Sequence, residues 1–149
     1  RGEKVPEGQF HLCVNVLVRH QDGDILFMRR SANKSLYPGY YEFGAGGSVL
    51  VGEDSQTAAL RELEEETGYT GGEWEEIMIV SANPSIMDNL CHCFYARNVK
   101  KTNNQKLDDT EDIEVFLRSK EEVKEMLLRG EFIQSMMVAP LWKYFTIKD

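Results

Sequence analysis

Several features are scarce in this chain, and each scarcity removes a class of function. Long apolar runs are missing: within 149 residues no stretch approaches the roughly 18 apolar residues of a membrane-spanning helix. The opening RGEKVPEGQF lacks the apolar region of a secretory signal, so the expectation is a soluble protein of the cytoplasm. Cysteine is rare and odd in number: Cys13, Cys91 and Cys93 lack the CxxC spacing of a zinc site and read as reduced structural thiols. Positive charge is in deficit, 17 Lys and Arg against 25 Asp and Glu for a net charge of -8, which excludes long-range attraction to a nucleic-acid backbone. A small phosphorylated ligand stays open, because a bound divalent cation reverses the sign locally. Repeats, low-complexity segments and linkers are missing too. With 42% hydrophobic and 28% charged residues, the expectation is one globular domain over residues 1–149 with one sizeable core.

The apolar pattern supplies the elements. Leu12, Val14, Val16 and Val18 alternate, predicting a half-buried strand over residues 11–19. A turn at QDGD leads into ILFMRR, the second arm of a hairpin, and a short strand is expected over residues 40–43. Gly44, Gly46 and Gly47 then predict a glycine-rich loop, with backbone at unusual φ or close to a ligand. Further strands are expected over residues 74–82, 91–99 and 113–117. Ser119 with Glu122 forms a capping box that starts a helix over residues 120–129, stopped by Gly130. The Met-rich tail reads as a packing helix that Pro140 breaks or kinks. Strands interleaved with helices in this way predict the α/β class, a mixed sheet covered by helices on both faces.

The stretch over residues 47–69, GSVLVGEDSQTAALRELEEETGY, organises the rest. If it is helical from about Ser55, then Glu62, Glu65 and Glu66 share one edge, Leu60, Leu63 and Thr67 form the adjoining apolar stripe, and Glu64 falls outside both. Carboxylates three and four residues apart have Cβ atoms about 5–6 Å from one another. In a cleft of effective dielectric 20, each like-charged pair would cost on the order of 3 kcal/mol, so a proton or a divalent cation has to be present there. Magnesium or manganese suits an all-oxygen ligand set and shares its remaining positions with substrate phosphates. The alternative is a solvated acidic face, where such repulsion falls below about 1 kcal/mol per pair. Glu53 upstream, Arg61 among the carboxylates and the nearby glycines weigh against it.

Gly47, Glu53, Arg61-Glu62-Leu63, Glu65-Glu66 and Gly68 resemble the Nudix box of the Nudix hydrolases at each charged and glycine position, with Tyr69 where the family usually has an aliphatic residue. The resemblance implies an α/β/α sandwich and metal-dependent hydrolysis of a nucleoside diphosphate linked to another moiety, by a monomer or homodimer. It implies that Glu62, Glu65 and Glu66, with the carbonyl of Gly46, hold Mg2+ or Mn2+. Arg61 would orient the glutamates, and Glu53 would reach the same cluster. The base that accepts the water proton is left between Glu66 or a neighbour in the box and Glu111, the latter in the acidic loop at Asp108, Asp109, Glu111 and Asp112. NPSIMDN, the acidic loop and DIEVF resemble the ADP-ribose pyrophosphatases within the family, pointing to ADP-ribose or another nucleotide sugar. FGAGG is similar to the isopentenyl diphosphate isomerase branch, which needs a catalytic cysteine in a loop context not found here. A module that senses a nucleotide sugar without turnover is the other alternative.

Outside the box, Arg29 and Arg30 end a strand that points toward the glycines, and a guanidinium fork suits phosphate oxygens, although strand-end arginines are also common on plain surfaces. Tyr41, with Tyr37, Tyr40 and Phe43, either stacks a base or packs the core. His92 points opposite to Cys91 and Cys93 in a strand, so one metal ion cannot collect all three.

Overall fold

The computed structural model describes residues 11–35, 37–107 and 112–147. Eleven elements follow one another: β1 (Leu12–His20), β2 (Ile25–Arg30), β3 (Tyr41–Phe43), β4 (Ala45–Ser48), α1 (Ser55–Thr67), β5 (Tyr69–Thr70), β6 (Glu73–Val80), β7 (Leu90–Lys101), β8 (Ile113–Arg118), α2 (Lys120–Leu128) and α3 (Ser135–Ile147). The strands form a mixed sheet. β1 and β7 run parallel, with Cys13 beside Cys91, whereas β2 pairs antiparallel with β1, β3 and β8 and β6 pairs antiparallel with β7.

Helices cover both faces. Val14, Val16, Val18, Leu26 and Ala45 pack with Ala58, Ala59 and Leu63 of α1. On the other face Leu17, Phe27, Phe43, Cys91 and Cys93 pack with Val123 and Met126 of α2 and Leu141, Tyr144 and Phe145 of α3. This is the mixed sheet between helical layers that the interleaved pattern predicts. It also corrects the reading of β1 as half-buried: Leu17 and Asn15 on the second face are buried as well as the valines, because helices lie on both sides.

The glycine-rich stretch is a strand rather than a loop. β1 and β2 stay paired only at Val18–Leu26 and Arg19–Ile25 and then diverge. The strand from Tyr41 to Ser48 crosses the gap, pairing first with β2 and then, after Gly44, with β1. Gly44 sits at φ +62, and a Cβ there would lie 1.5 Å from the Val16 carbonyl oxygen, so only glycine fits the crossing.

Two helices begin as their caps dictate. The Asp54 side chain accepts from the Thr57 N–H at 2.7 Å to start α1, and the Ser119–Glu122 capping box starts α2. Gly68 ends α1 in the left-handed region. Leu60 does not hold α1 in place, being 42% exposed; Ala58 and Ala59 bring the helix close to the valines of the sheet instead. Pro140 does not interrupt α3, which runs unbroken through it. A proline removes the donor for the carbonyl four residues back, here Met136, and that carbonyl accepts from Asn15 Nδ2 at 3.1 Å and from the Cys93 thiol at 3.9 Å instead. No described helix is long and apolar enough to cross a membrane.

Candidate functional site

Strand β4 and helix α1 build the site between them. Gly47 lies where a Cβ would come 2.2–2.6 Å from the Glu62 carboxylate, so the absence of a side chain at residue 47 makes room for that acid. Val49 N–H bonds the Leu12 carbonyl, and counting back along the alternating antiparallel ladder leaves Gly46 in a non-hydrogen-bonded position opposite Asn15. Its N–H therefore points away from β1 and meets Glu66 Oε2 at 2.9 Å; its carbonyl, on the same side of the strand, is turned the same way.

Arg61 ties the acids together. Its Nε and Nη2 donate to the two oxygens of Glu53 at 2.8 and 3.1 Å, and its Nη1 donates to Glu62 at 3.0 Å and Glu65 at 3.1 Å. Nη2 also reaches the Ser48 carbonyl at 3.0 Å, fixing the guanidinium against β4. The Arg61 guanidinium, and then the Leu50 N–H, hold the Glu53 carboxyl below the usual carboxylate range. The same carboxylates, Glu53 first, raise Arg61 further above its already high value. Glu66 is 8% exposed, a carboxylate placed in the wall between helix and strand, whereas Glu65 lies at the opening.

The residues after β7 brace the far end of the acidic helix. Thr102 and Asn103 N–H groups bond the Gly68 carbonyl, Lys106 N–H bonds the Glu65 carbonyl, and Gln105 Nε2 donates to the Glu66 carbonyl. Glu64, outside the acidic edge, accepts from Asn103 Nδ2 at 2.9 Å. The segment leading into the acidic loop is thereby tied to α1; Glu111 itself lies outside the described residues.

The donor set suits a hard divalent cation in its chemistry: carboxylate oxygens from Glu62, Glu65 and Glu66 beside a strand carbonyl. Among the described residues, however, no three acidic, histidine or cysteine side chains already converge on one point. Glu62 and Glu65 turn to the Arg61 guanidinium, which supplies the positive charge that their proximity requires.

A cavity of about 410 Å3 opens on the other side of the strand crossing, lined by Arg30, Tyr37, Tyr40, Tyr41, Ile133 and Met136 among others. Arg30 is fixed there by Glu42 at 2.7 Å. Arg29 points elsewhere, donating to the Gly39 carbonyl at 3.4 Å, and joins Arg30 in lining a separate cleft with Asp112 and Glu114. The tyrosines divide. Tyr41 sets its ring edge on Phe27 and Phe43 is in the core, whereas Tyr37 and Tyr40 are exposed and stand edge to face with each other at 5.7 Å. His92 points away from the neighbouring thiols and pairs with Glu76. The three thiols belong to the face covered by α2 and α3, with Cys91 and Cys93 buried. Asn15 is the residue that sequence reasoning missed, although a single polar side chain inside an apolar alternation is a visible signal.

The family description "NUDIX domain" matches residues 9–137. The chain belongs to the Nudix family. Among curated relatives it is 43% identical over 70 residues to an uncharacterised Nudix hydrolase of Listeria innocua, a match covering 47% of this chain and 41% of that one. It is 33% identical over 105 residues to an ADP-ribose pyrophosphatase of Bacillus subtilis, covering 70% of this chain and 56% of that one. The chain thus spans about half the length of these Nudix relatives. Among solved structures, one described as an ADP compounds hydrolase superposes with a TM-score of 0.77 at 19% identity, covering 91% of this chain and 71% of that one. At that identity the likeness is one of fold, and the fold is the Nudix fold.

Proposed function

We propose that this Nudix chain hydrolyses the diphosphate linkage of a nucleoside diphosphate derivative, with ADP-ribose or another nucleotide sugar as the substrate. The observation that carries the proposal is the gathering of Glu53, Glu62 and Glu65 on one guanidinium beside a glycine strand whose Gly46 N–H holds Glu66. A solvated acidic face needs neither the buried Glu66 nor glycines cleared of side chains. Glu62, Glu65, Glu66 and the Gly46 carbonyl are the residues that would hold Mg2+ or Mn2+. Such a cation neutralises diphosphate oxygens and lowers the pKa of a bound water.

The protein groups have separable tasks. Arg61 keeps Glu62 and Glu65 on one edge despite their repulsion and releases them to a stronger positive charge. Glu53, bidentate on Arg61, holds the guanidinium in place while they turn. Two carboxylates compete to accept the water proton: Glu66, fixed through one oxygen by Gly46, and Glu111 in the acidic loop. The 410 Å3 cavity is within the range of small-molecule sites, and Arg30 with Tyr41 offers it a guanidinium and an aromatic ring for the phosphate-linked moiety. The Bacillus subtilis relative named as an ADP-ribose pyrophosphatase supports the choice of substrate. The isomerase alternative loses support, because Cys91 and Cys93 are buried beneath α2 and α3 and the partly buried Cys13 packs against the same cluster; a sensing module without turnover has no use for the clustered acids.

A substrate panel with products resolved by mass tests this reading. Magnesium-dependent conversion of ADP-ribose to AMP and ribose 5-phosphate is expected, faster than turnover of dinucleoside polyphosphates, nucleoside triphosphates or isopentenyl diphosphate. Tight binding of ADP-ribose without product would replace hydrolysis with sensing.

A further inference from the structure

Asn15 is 6% exposed in a strand where an apolar side chain would fit the core more cheaply, since a buried amide has to be satisfied by hydrogen bonds. Its two ends touch different parts of the molecule. Nδ2 donates to the Met136 carbonyl at 3.1 Å, the carbonyl that Pro140 leaves without a helix donor and that the Cys93 thiol also reaches, at 3.9 Å. Oδ1 lies so close to Gly46 that a Cβ at that residue would approach it to 2.4 Å. Gly46 in turn holds Glu66, and Met136 lines the 410 Å3 cavity. A single amide therefore stands between the strand that fixes the acidic edge and the helix that forms the cavity wall.

We propose that Asn15 is a positioning residue, which sets the Gly46 backbone, and through it Glu66, against the start of α3, so that the acidic edge and the cavity keep one relative placement. This inference rests on the hydrolase reading for its activity readout. Its competitor is purely structural, namely that Asn15 does no more than satisfy the Met136 carbonyl. Proline 140 separates the two. In Pro140→Ala the Met136 carbonyl regains its helix donor, so the structural need for Asn15 disappears while its contact with Gly46 does not.

The experiment compares the unaltered chain, Pro140→Ala, and Asn15→Leu combined with Pro140→Ala, measuring kcat, KM and the magnesium concentration for half-maximal hydrolysis of ADP-ribose. Pro140→Ala alone is expected to stay within about twofold of the unaltered chain. The double variant is expected to lose at least tenfold in kcat/KM and to need several times more magnesium. A double variant with unaltered kcat/KM and magnesium requirement overturns the proposal. If Asn15→Leu overpacks and fails to fold, Asn15→Ala in the same background carries the same expectations. If the unaltered chain hydrolyses nothing, the hydrolase reading fails by itself. The rise in melting temperature on adding Mn2+ then decides for Asn15: a smaller rise in the double variant supports the proposal, and equal or absent rises overturn it.

Discussion

Arg61 shows how one residue resolves a problem set by its neighbours. Three glutamates within two turns repel one another, and a guanidinium that is bidentate on Glu53 and shared between Glu62 and Glu65 offsets that repulsion while no cation is bound. Lysine would not serve, because an ammonium lacks the planar fork that spans these oxygens. The pH consequence follows from Glu53. Its folded pKa is depressed below the ordinary 4.5 by Arg61 and the Leu50 N–H, so its contribution to stability is fully present above pH 4.5 and is lost as pH falls through the lower folded value. Urea unfolding at a series of pH values is expected to show stability declining below pH 4.5, with a shallower decline in Glu53→Gln. Identical slopes would show that the pair adds nothing to folding. The grouping of Glu53, Arg61, Glu62 and Glu65 was legible because their spacing is local. The partner of Asn15 was not, because the carbonyl it serves is 121 residues away and loses its helix donor to a proline farther still.

At the scale of elements, the crossing strand decides the geometry. β1 and β2 cannot remain paired along their length while Tyr41 to Ser48 is admitted between them, and Gly44 is where that segment passes from one partner to the other. Gly44→Ala is expected to destabilise the fold by at least about 2 kcal/mol, since it combines a left-handed backbone with a clash against the Val16 carbonyl; a shift in the urea midpoint measures it. The glycine density predicts a loop where β4 lies, because glycine has low strand propensity, but ladder bonds to β1 outweigh that preference. The capping box of α2 was readable for the opposite reason: a cap is a contact between residues three apart. That Pro140 does not break α3 was unreadable, because the Asn15 amide that serves the freed carbonyl belongs to a distant strand.

For the whole molecule, the sandwich places α1 on one face of the sheet and α2 with α3 on the other, so the acidic edge on α1 and the cavity wall at the start of α3 belong to different layers. The layered α/β arrangement was legible from alternation and spacing. The cavity was not, since Tyr37 and Tyr40 from one loop and Ile133 and Met136 from another segment share no local pattern. A cation bound at the acidic edge stabilises the folded chain by mass action: at about 100 times its Kd the gain is about 2.7 kcal/mol, a rise in melting temperature of roughly 5–10 °C for a chain of this size. Thermal melts with and without magnesium should show that rise and should lose it in the Glu62→Gln, Glu65→Gln combination. The most direct test of the central claim, that this edge carries out diphosphate hydrolysis, is the kcat of Glu66→Gln on ADP-ribose at saturating magnesium, alongside its melting temperature. A fall of at least about 100-fold in kcat with the fold intact is predicted; a rate near that of the unaltered chain would contradict it.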